Sequence, residues 1–195
     1  MEPPRARRLL LCAAGGYQAY ILPGFILALL QHVADDVQVV LSRAAAQLVS
    51  KYAVEVASRH EVYVELNDGG PDTFVPHIEL PRRADLVLVY PATVNIVGKV
   101  ANGIADELIS ALILATDKPV IFVPVANELM WRQPAVARNL ERLTSDGYVV
   151  LPPQPGIEVA TREGLDTIPF PLPTLLARLR AALRGGEGAG RTGPP

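Results

Sequence analysis

The sequence predicts a single-domain α/β fold built on a doubly wound parallel sheet, and three observations predict it. Short apolar runs recur along the chain, with the length and pattern of strands buried on both faces of a parallel sheet. The early runs each lead through a turn of small or polar residues into an apolar pattern of helical period. The chain has 195 residues, half of them apolar, enough for one sizeable core, and it contains no internal repeat.

Arg8 to Ala14 (RLLLCAA) reads as the first strand. Gly15-Gly16 follows directly, ahead of the helical pattern Leu22, Phe25, Ile26, Leu29, Leu30, Val33. Strand, glycine turn, helix is an arrangement that offers backbone N–H groups to a phosphate. The two glycines lack the spacing of the dinucleotide fingerprint or the P-loop, so the turn alone does not fix the ligand. Pro23 falls in the first helical turn, where its missing N–H costs little. Val37 to Leu41 is the second strand, followed by Ser42-Arg43-Ala44 and a helix to about Val49. A hydroxyl and an arginine at this junction suit a phosphate or another polar ligand edge, and equally a solvated arginine.

Val54 to Ser58 reads as a short helix, Val62 to Leu66 as a strand, and Asn67 to Pro76 as a loop rich in turn formers. His77 then opens the helical stretch HIELPRRAD. His32 and His60 read as surface residues at helix ends. His77 stands apart because it closes a glycine-rich loop next to the central strand, a place for a structural or a catalytic histidine.

The chain is organised around Leu86 to Ala115. Leu86 to Tyr90 (LVLVY) is the central buried strand, ended by Pro91, and a helix starts near Asn95. The small polar residues between them lie at the carboxyl end of a central strand, where open α/β sheets bind ligands. Thr93 and Asn95 also suit helix capping. Pro119 to Val123 is the next strand and runs into Pro124-Val125-Ala126-Asn127-Glu128-Leu129-Met130-Trp131. A helix from Gln133 to about Ser145 and a short strand, Tyr148 to Leu151, follow. Residues 152–173 hold six prolines in 22 positions and no period, the composition of a lid or binding loop. Thr174 to Arg184 closes the domain with an amphipathic helix, leaving 185–195 as a flexible tail. The alternation of strand and helix is that of the flavodoxin-like or Rossmann-like sheets.

Net charge is −2 and no basic tract occurs, which argues against a nucleic-acid partner. No apolar run reaches the length of a membrane span, roughly 18 residues, and the run after Arg5, Arg7 and Arg8 is too short for a signal peptide. A single cysteine, Cys12, forbids an internal disulfide and fits a reducing cytoplasm.

Three separated segments carry a family resemblance: His77-Ile78-Glu79-Leu80, PATVN with KVANGIAD, and PVANELMW. Their order and spacing resemble the homo-oligomeric flavin-containing cysteine decarboxylases, over roughly Arg8 to Leu151. That family covers the phosphopantothenoylcysteine decarboxylases of coenzyme A synthesis and the decarboxylases that oxidise the C-terminal cysteine of lantibiotic and related peptides. The resemblance implies that His77 is catalytic. It implies that Thr93, Val94, Asn95 and Ile96 hold the flavin, together with Gly15, Gly16, Tyr17, Ser42, Arg43, Ala44 and Val125. Asn127 would bind the substrate carboxylate, with Met130 beside it, and no metal is assigned. Val94 and Ile96 replace the usual alanine and threonine, Ala126 replaces a methionine, and Gly16 stands where a serine is common. FMN is the expected cofactor, with FAD as the alternative.

The coenzyme A branch needs a cysteine in a C-terminal loop to return electrons from the flavin, and no cysteine follows Cys12 here. The resemblance therefore implies oxidative decarboxylation of a precursor peptide ending in cysteine. In that reaction hydride leaves the substrate Cβ for the flavin, the thiol loses its proton, and the thioaldehyde takes up the electrons released with CO₂ to give an aminoenethiol (aminovinyl-cysteine). Residues 152–173 would clamp the peptide. The family is homo-oligomeric, so at least a trimer is expected, with trimers assembled into a dodecamer as the extended form. The alternatives are phosphopantothenoylcysteine decarboxylation and a non-catalytic flavin-fold regulatory subunit.

Overall fold

A computed structural model describes residues 5–70, 72–151, 154–157, 164–168 and 172–185. Five parallel strands form one sheet in the order β2-β1-β3-β4-β5: β1 Ala6–Ala13, β2 Ala34–Leu41, β3 Leu86–Thr93, β4 Val120–Val125 and β5 Val149–Val150. Successive side chains alternate between the two faces. Leu9, Leu11 and Ala13 of β1 pack with α1 (Leu22–His32), α2 (Lys51–Ser58) and the last helix, while Leu10 and Cys12 pack with the helices opposite. Those are α3 (Pro76–Arg83), α4 (Val94–Ala101), α5 (Leu108–Leu114) and α7 (Pro134–Ser145). A sheet covered on both faces explains why the strands read as continuous apolar runs. The doubly wound parallel sheet is as predicted, with its order that of the flavodoxin-like folds.

Several local expectations are corrected. Pro91 does not end the central strand. It has no N–H to give the ladder, so the register shifts between Val89 and Ala92, and pairing then resumes as Ala92 with Pro124 and Thr93 with Val125. The strand expected at Val62 to Leu66 is reduced to one bridge, Tyr63 to Val40. Asp68 Oδ2 accepts from the backbone N–H of Val64 (2.7 Å) and Glu65 (2.9 Å), diverting those donors into a turn. The helix expected after Ser42 is only a 3-10 turn, Ala45–Gln47. Ser50 then caps the longer α2 by accepting from Ala53 N–H.

A further short helix, α6 (Glu128–Trp131), follows β4. Within the segment read as an irregular loop, β6 (Gln154–Ile157) and β7 (Gly164–Ile168) pair antiparallel, and β7 runs beside α6. The last helix, α8, spans Leu172–Gly185. The rest of the segment expected to clamp the peptide, within 152–173, and the tail beyond Gly185 lie outside the described residues. No helix among the described residues is long and apolar enough to cross a membrane.

Candidate active site

In the 2-1-3-4-5 order the chain reverses direction between β1 and β3, and the crevice outside the carboxyl ends of those strands is where such sheets bind ligands. A cleft of about 670 Å³ lies there. Ala14 and Gly15 enter it from β1, Ser42, Arg43 and Ala44 from the end of β2, and Thr93, Asn95 and Ile96 from the β3–α4 junction. The opposite wall comes from Val64 to Asn67 and from Lys99, Asp106 and Glu107. Seven of the residues expected at the flavin therefore meet in one place.

Backbone approach is close here. A methyl group built on Gly15 would lie 2.4 Å from Ala44 Cβ, so the first strand-end turn touches the second. One built on Gly16 would lie 2.9 Å from Val125 Cγ2 and 3.0 Å from Pro91 Cβ, which places Gly16 over Val125, and neither of the two lines the cleft. Thr93 occupies the N-cap of α4, yet its hydroxyl makes no capping bond. Capping thus leaves the Thr93 hydroxyl uncommitted, and the first N–H groups of α4 lie beside the cleft for an anion. Val94 is half-buried in the first turn of α4 and does not line the cleft. Tyr17 is half-exposed, its ring stacked on Tyr20 at 6.2 Å, also outside the cleft.

The charged groups of the cleft are already matched. Arg43 pairs with Glu65 through two bonds, Nε to Oε1 at 2.6 Å and Nη2 to Oε2 at 2.7 Å. Lys99 Nζ donates to Glu107 at 2.7 Å and bridges to Asp106 at 2.9 Å, and these partners, Glu107 first, raise the ammonium pKa above its usual range. A phosphate in this cleft would thus meet backbone N–H groups and hydroxyls before any free cation. Lys99 and Asp106 bound the KVANGIAD segment but, like Glu107, were given no role of their own from the sequence, although Lys99 follows Asn95 by one helical turn. Glu65 carried no signal, because the turn that presents it depends on Asp68.

His77 is the second residue of α3, and its Nδ1 is buried with no hydrogen-bond partner among the described residues. An imidazole nitrogen kept dry and unbonded is placed for chemistry more readily than for stability. Asn127 is the N-cap of α6, where its Oδ1 accepts from Met130 N–H at 2.8 Å. The cap bond orients the Asn127 amide and brings Met130, half-exposed, alongside it. His77, Asn127 and Met130 do not line the cleft, and no described hydrogen bond joins His77 to Asn127.

These residues fit a flavin. The cleft volume lies in the range of cofactor sites, about 300–1,000 Å³. Gly15 admits no side chain without moving Ala44, and the Thr93 hydroxyl makes no capping bond at the helix start.

Comparison with known proteins agrees. The chain is 38% identical over 150 residues to the coenzyme A biosynthesis bifunctional protein CoaBC of Bacillus subtilis (strain 168), covering 77% of this chain and 37% of that protein. The chain thus spans little more than a third of that relative. It is 37% identical over 118 residues to the mersacidin decarboxylase of Bacillus sp. (strain HIL-Y85/54728), covering 60% of this chain and 59% of that protein. Its fold superposes on the crystal structure of the FMN-dependent cysteine decarboxylase SpaF with a TM-score of 0.74 and 28% identity, over 91% of this chain and 97% of that chain. The Flavoprotein family model matches residues 2–168, which takes in every site residue described above, and the chain belongs to the Flavoprotein family.

Proposed function

We propose that this chain is an FMN-dependent decarboxylase that acts oxidatively on the C-terminal cysteine of a ribosomally made precursor peptide, releasing CO₂ and leaving an aminoenethiol. The reading is carried by Cys12. It is the one cysteine of the sequence, it is fully buried in β1, and burial pushes its thiol pKa far up. Simple decarboxylation of cysteine through an oxidised intermediate requires electrons to be handed back, and a thiol in the carboxyl-side loop would do it. Cys12, locked between Val40 and Val89 in the sheet, cannot reach a substrate. The peptide would therefore keep its double bond, with the two hydrogens passing to a bound flavin as acceptor and dioxygen as the final oxidant.

A bound flavin supplies a two-electron acceptor. The chain's own residues bind, orient and exchange protons. Asn127, its oxygen committed to the α6 cap, is left to donate from its amide nitrogen to the peptide's terminal carboxylate. Met130 packs against the cysteine side chain. His77 takes up and returns the thiol proton, a role open to imidazole near neutral pH. The β6–β7 pair beside α6 belongs to the clamp over the peptide. His77 and Asn127 lie off the cleft that the expected flavin residues line, and we further propose a cytoplasmic homotrimer, extending to a dodecamer, in which neighbouring copies complete the site.

The similarity to CoaBC favours a second reading, phosphopantothenoylcysteine decarboxylation, and one experiment separates the two. FMN-loaded protein incubated with synthetic peptides ending in cysteine should give a mass loss of about 46 Da, CO₂ plus two hydrogens. A loss of about 44 Da, or conversion of phosphopantothenoylcysteine to the saturated thiol, overturns the first reading in favour of the second.

A further inference from the structure

Arg43 and Glu65 both line the cleft, and two bonds join them, Nε to Oε1 and Nη2 to Oε2. The Arg43 side chain is 80% exposed and that of Glu65 36%, so the pair lies on the solvent side of the cleft. Two parallel N–H···O bonds between a guanidinium and a carboxylate fix direction as well as distance. An exposed pair of this kind contributes little to folding, and stability alone gives little reason for it.

What the pair holds is a turn with few other ties. Tyr63 makes the last hydrogen bond to the sheet, its carbonyl accepting from Leu41 N–H at 2.9 Å, and Val64 still packs on the core. Beyond Val64 the chain bonds to itself. Asp68 Oδ2 takes the N–H groups of Val64 and Glu65, Asp68 N–H donates to the Glu65 carbonyl at 3.2 Å, and Gly69 N–H donates to that of Asn67 at 2.7 Å. Leu66 and Asn67 are exposed. Among the described residues, Arg43 is the one hydrogen-bonding partner of residues 64–67 outside their own turn. One wall of the cleft is therefore a self-contained turn, anchored at Val64 and tied to the end of β2 by a single ion pair.

We propose that the Arg43–Glu65 pair is a latch on the cofactor cleft, and that the turn of residues 65–67 swings out when the pair opens, letting the flavin enter and leave. This rests on the flavin reading given above. A latch that holds the empty and the loaded cleft equally changes the rates of binding and release by one factor and leaves affinity alone. A direct contact between Arg43 and the cofactor would change the affinity.

The test follows FMN association and dissociation by stopped-flow flavin fluorescence, on protein stripped of its flavin and then reloaded. Glu65→Gln and Arg43→Gln should each speed both steps by about fivefold, the scale of an exposed pair, with the dissociation constant unchanged. The double variant should be no faster than either single one, since each removes the same contact. Salt up to about 1 M should speed FMN release from wild type and have less effect on the variants. Wild-type rates in both single variants overturn the proposal. So does faster release with unaltered association, the mark of a residue that holds the cofactor itself, and so do single effects that multiply in the double variant. Release from wild type that ignores salt overturns it without recourse to any variant. Wild-type protein that takes up no FMN overturns the flavin reading itself, an outcome distinct from all of these.

Discussion

Glu79 reaches back across the first turn of α3 to Val75, whose backbone N–H donates to Glu79 Oε1 at 2.8 Å, and His77 lies between them in the chain. Phe74 N–H donates to the same oxygen at 2.9 Å, and Arg83 donates to Oε2 at 2.8 Å. Val75, at the N-cap, makes no side-chain cap, so Glu79 closes the helix start from within, as a capping-box glutamate does from one position earlier. The bond from Val75, then those from Phe74 and Arg83, hold the Glu79 carboxyl below its usual range against the opposing effect of burial.

Glu79→Ala should therefore loosen the turn that presents His77. The melting temperature should fall, as for loss of a helix cap, and kcat by about tenfold with FMN affinity unchanged. A depressed carboxyl pKa stabilises the fold above the unfolded value, and that contribution is lost as pH falls through the folded value. The difference in melting temperature between wild type and variant should thus shrink as pH falls below the ordinary carboxylate range. A difference that stays constant contradicts this role for Glu79.

Gly15→Ala tests the cradle. Its added methyl would lie 2.4 Å from Ala44 Cβ, a distance that two turns can relieve only by moving apart. The protein should fold, since the collision is at the cleft and not in the sheet, but FMN affinity should drop by more than about tenfold. Calorimetric titration with FMN checks it, and unaltered affinity would place the cofactor elsewhere.

His77→Asn should keep the flavin spectrum and the melting profile yet lose peptide decarboxylation. Asparagine fills the space and hydrogen-bonds but does not exchange a proton near neutral pH. Wild-type-like turnover by this variant removes His77 from the chemistry.

The sheet was legible because its strands are buried on both faces and so read as unbroken apolar runs, LLLCAA and LVLVY among them. The nucleus of the cleft was legible for a related reason: ligand loops follow the carboxyl ends of those strands, so Gly15, Ser42 and Thr93 could be placed once the strands were. What escaped depends on contacts distant in sequence or on side chains competing with the backbone. Asp68 takes the N–H groups of Val64 and Glu65, and no local pattern shows that Val62 to Leu66 loses its ladder. Lys99 joins the cleft through Asp106 and Glu107, across a turn that the sequence does not specify.

Cys12→Ala decides whether any protein thiol takes part in the reaction. Cys12 pairs in register with Val40 on one side and Val89 on the other, and its side chain faces the core shared with α3, α4 and α5. Removing the sulfur there leaves a small cavity, and stability should fall by about 1 kcal/mol with the fold retained. If electrons are never returned to the substrate, the variant should turn over a cysteine-terminated peptide at the wild-type rate, with the same loss of about 46 Da. A wild-type loss of about 44 Da that becomes about 46 Da in Cys12→Ala would identify Cys12 as an electron-returning thiol and refute the oxidative reading. That outcome would need β1 to open between β2 and β3, which the continuous pairing of Leu9 to Cys12 with both neighbours opposes.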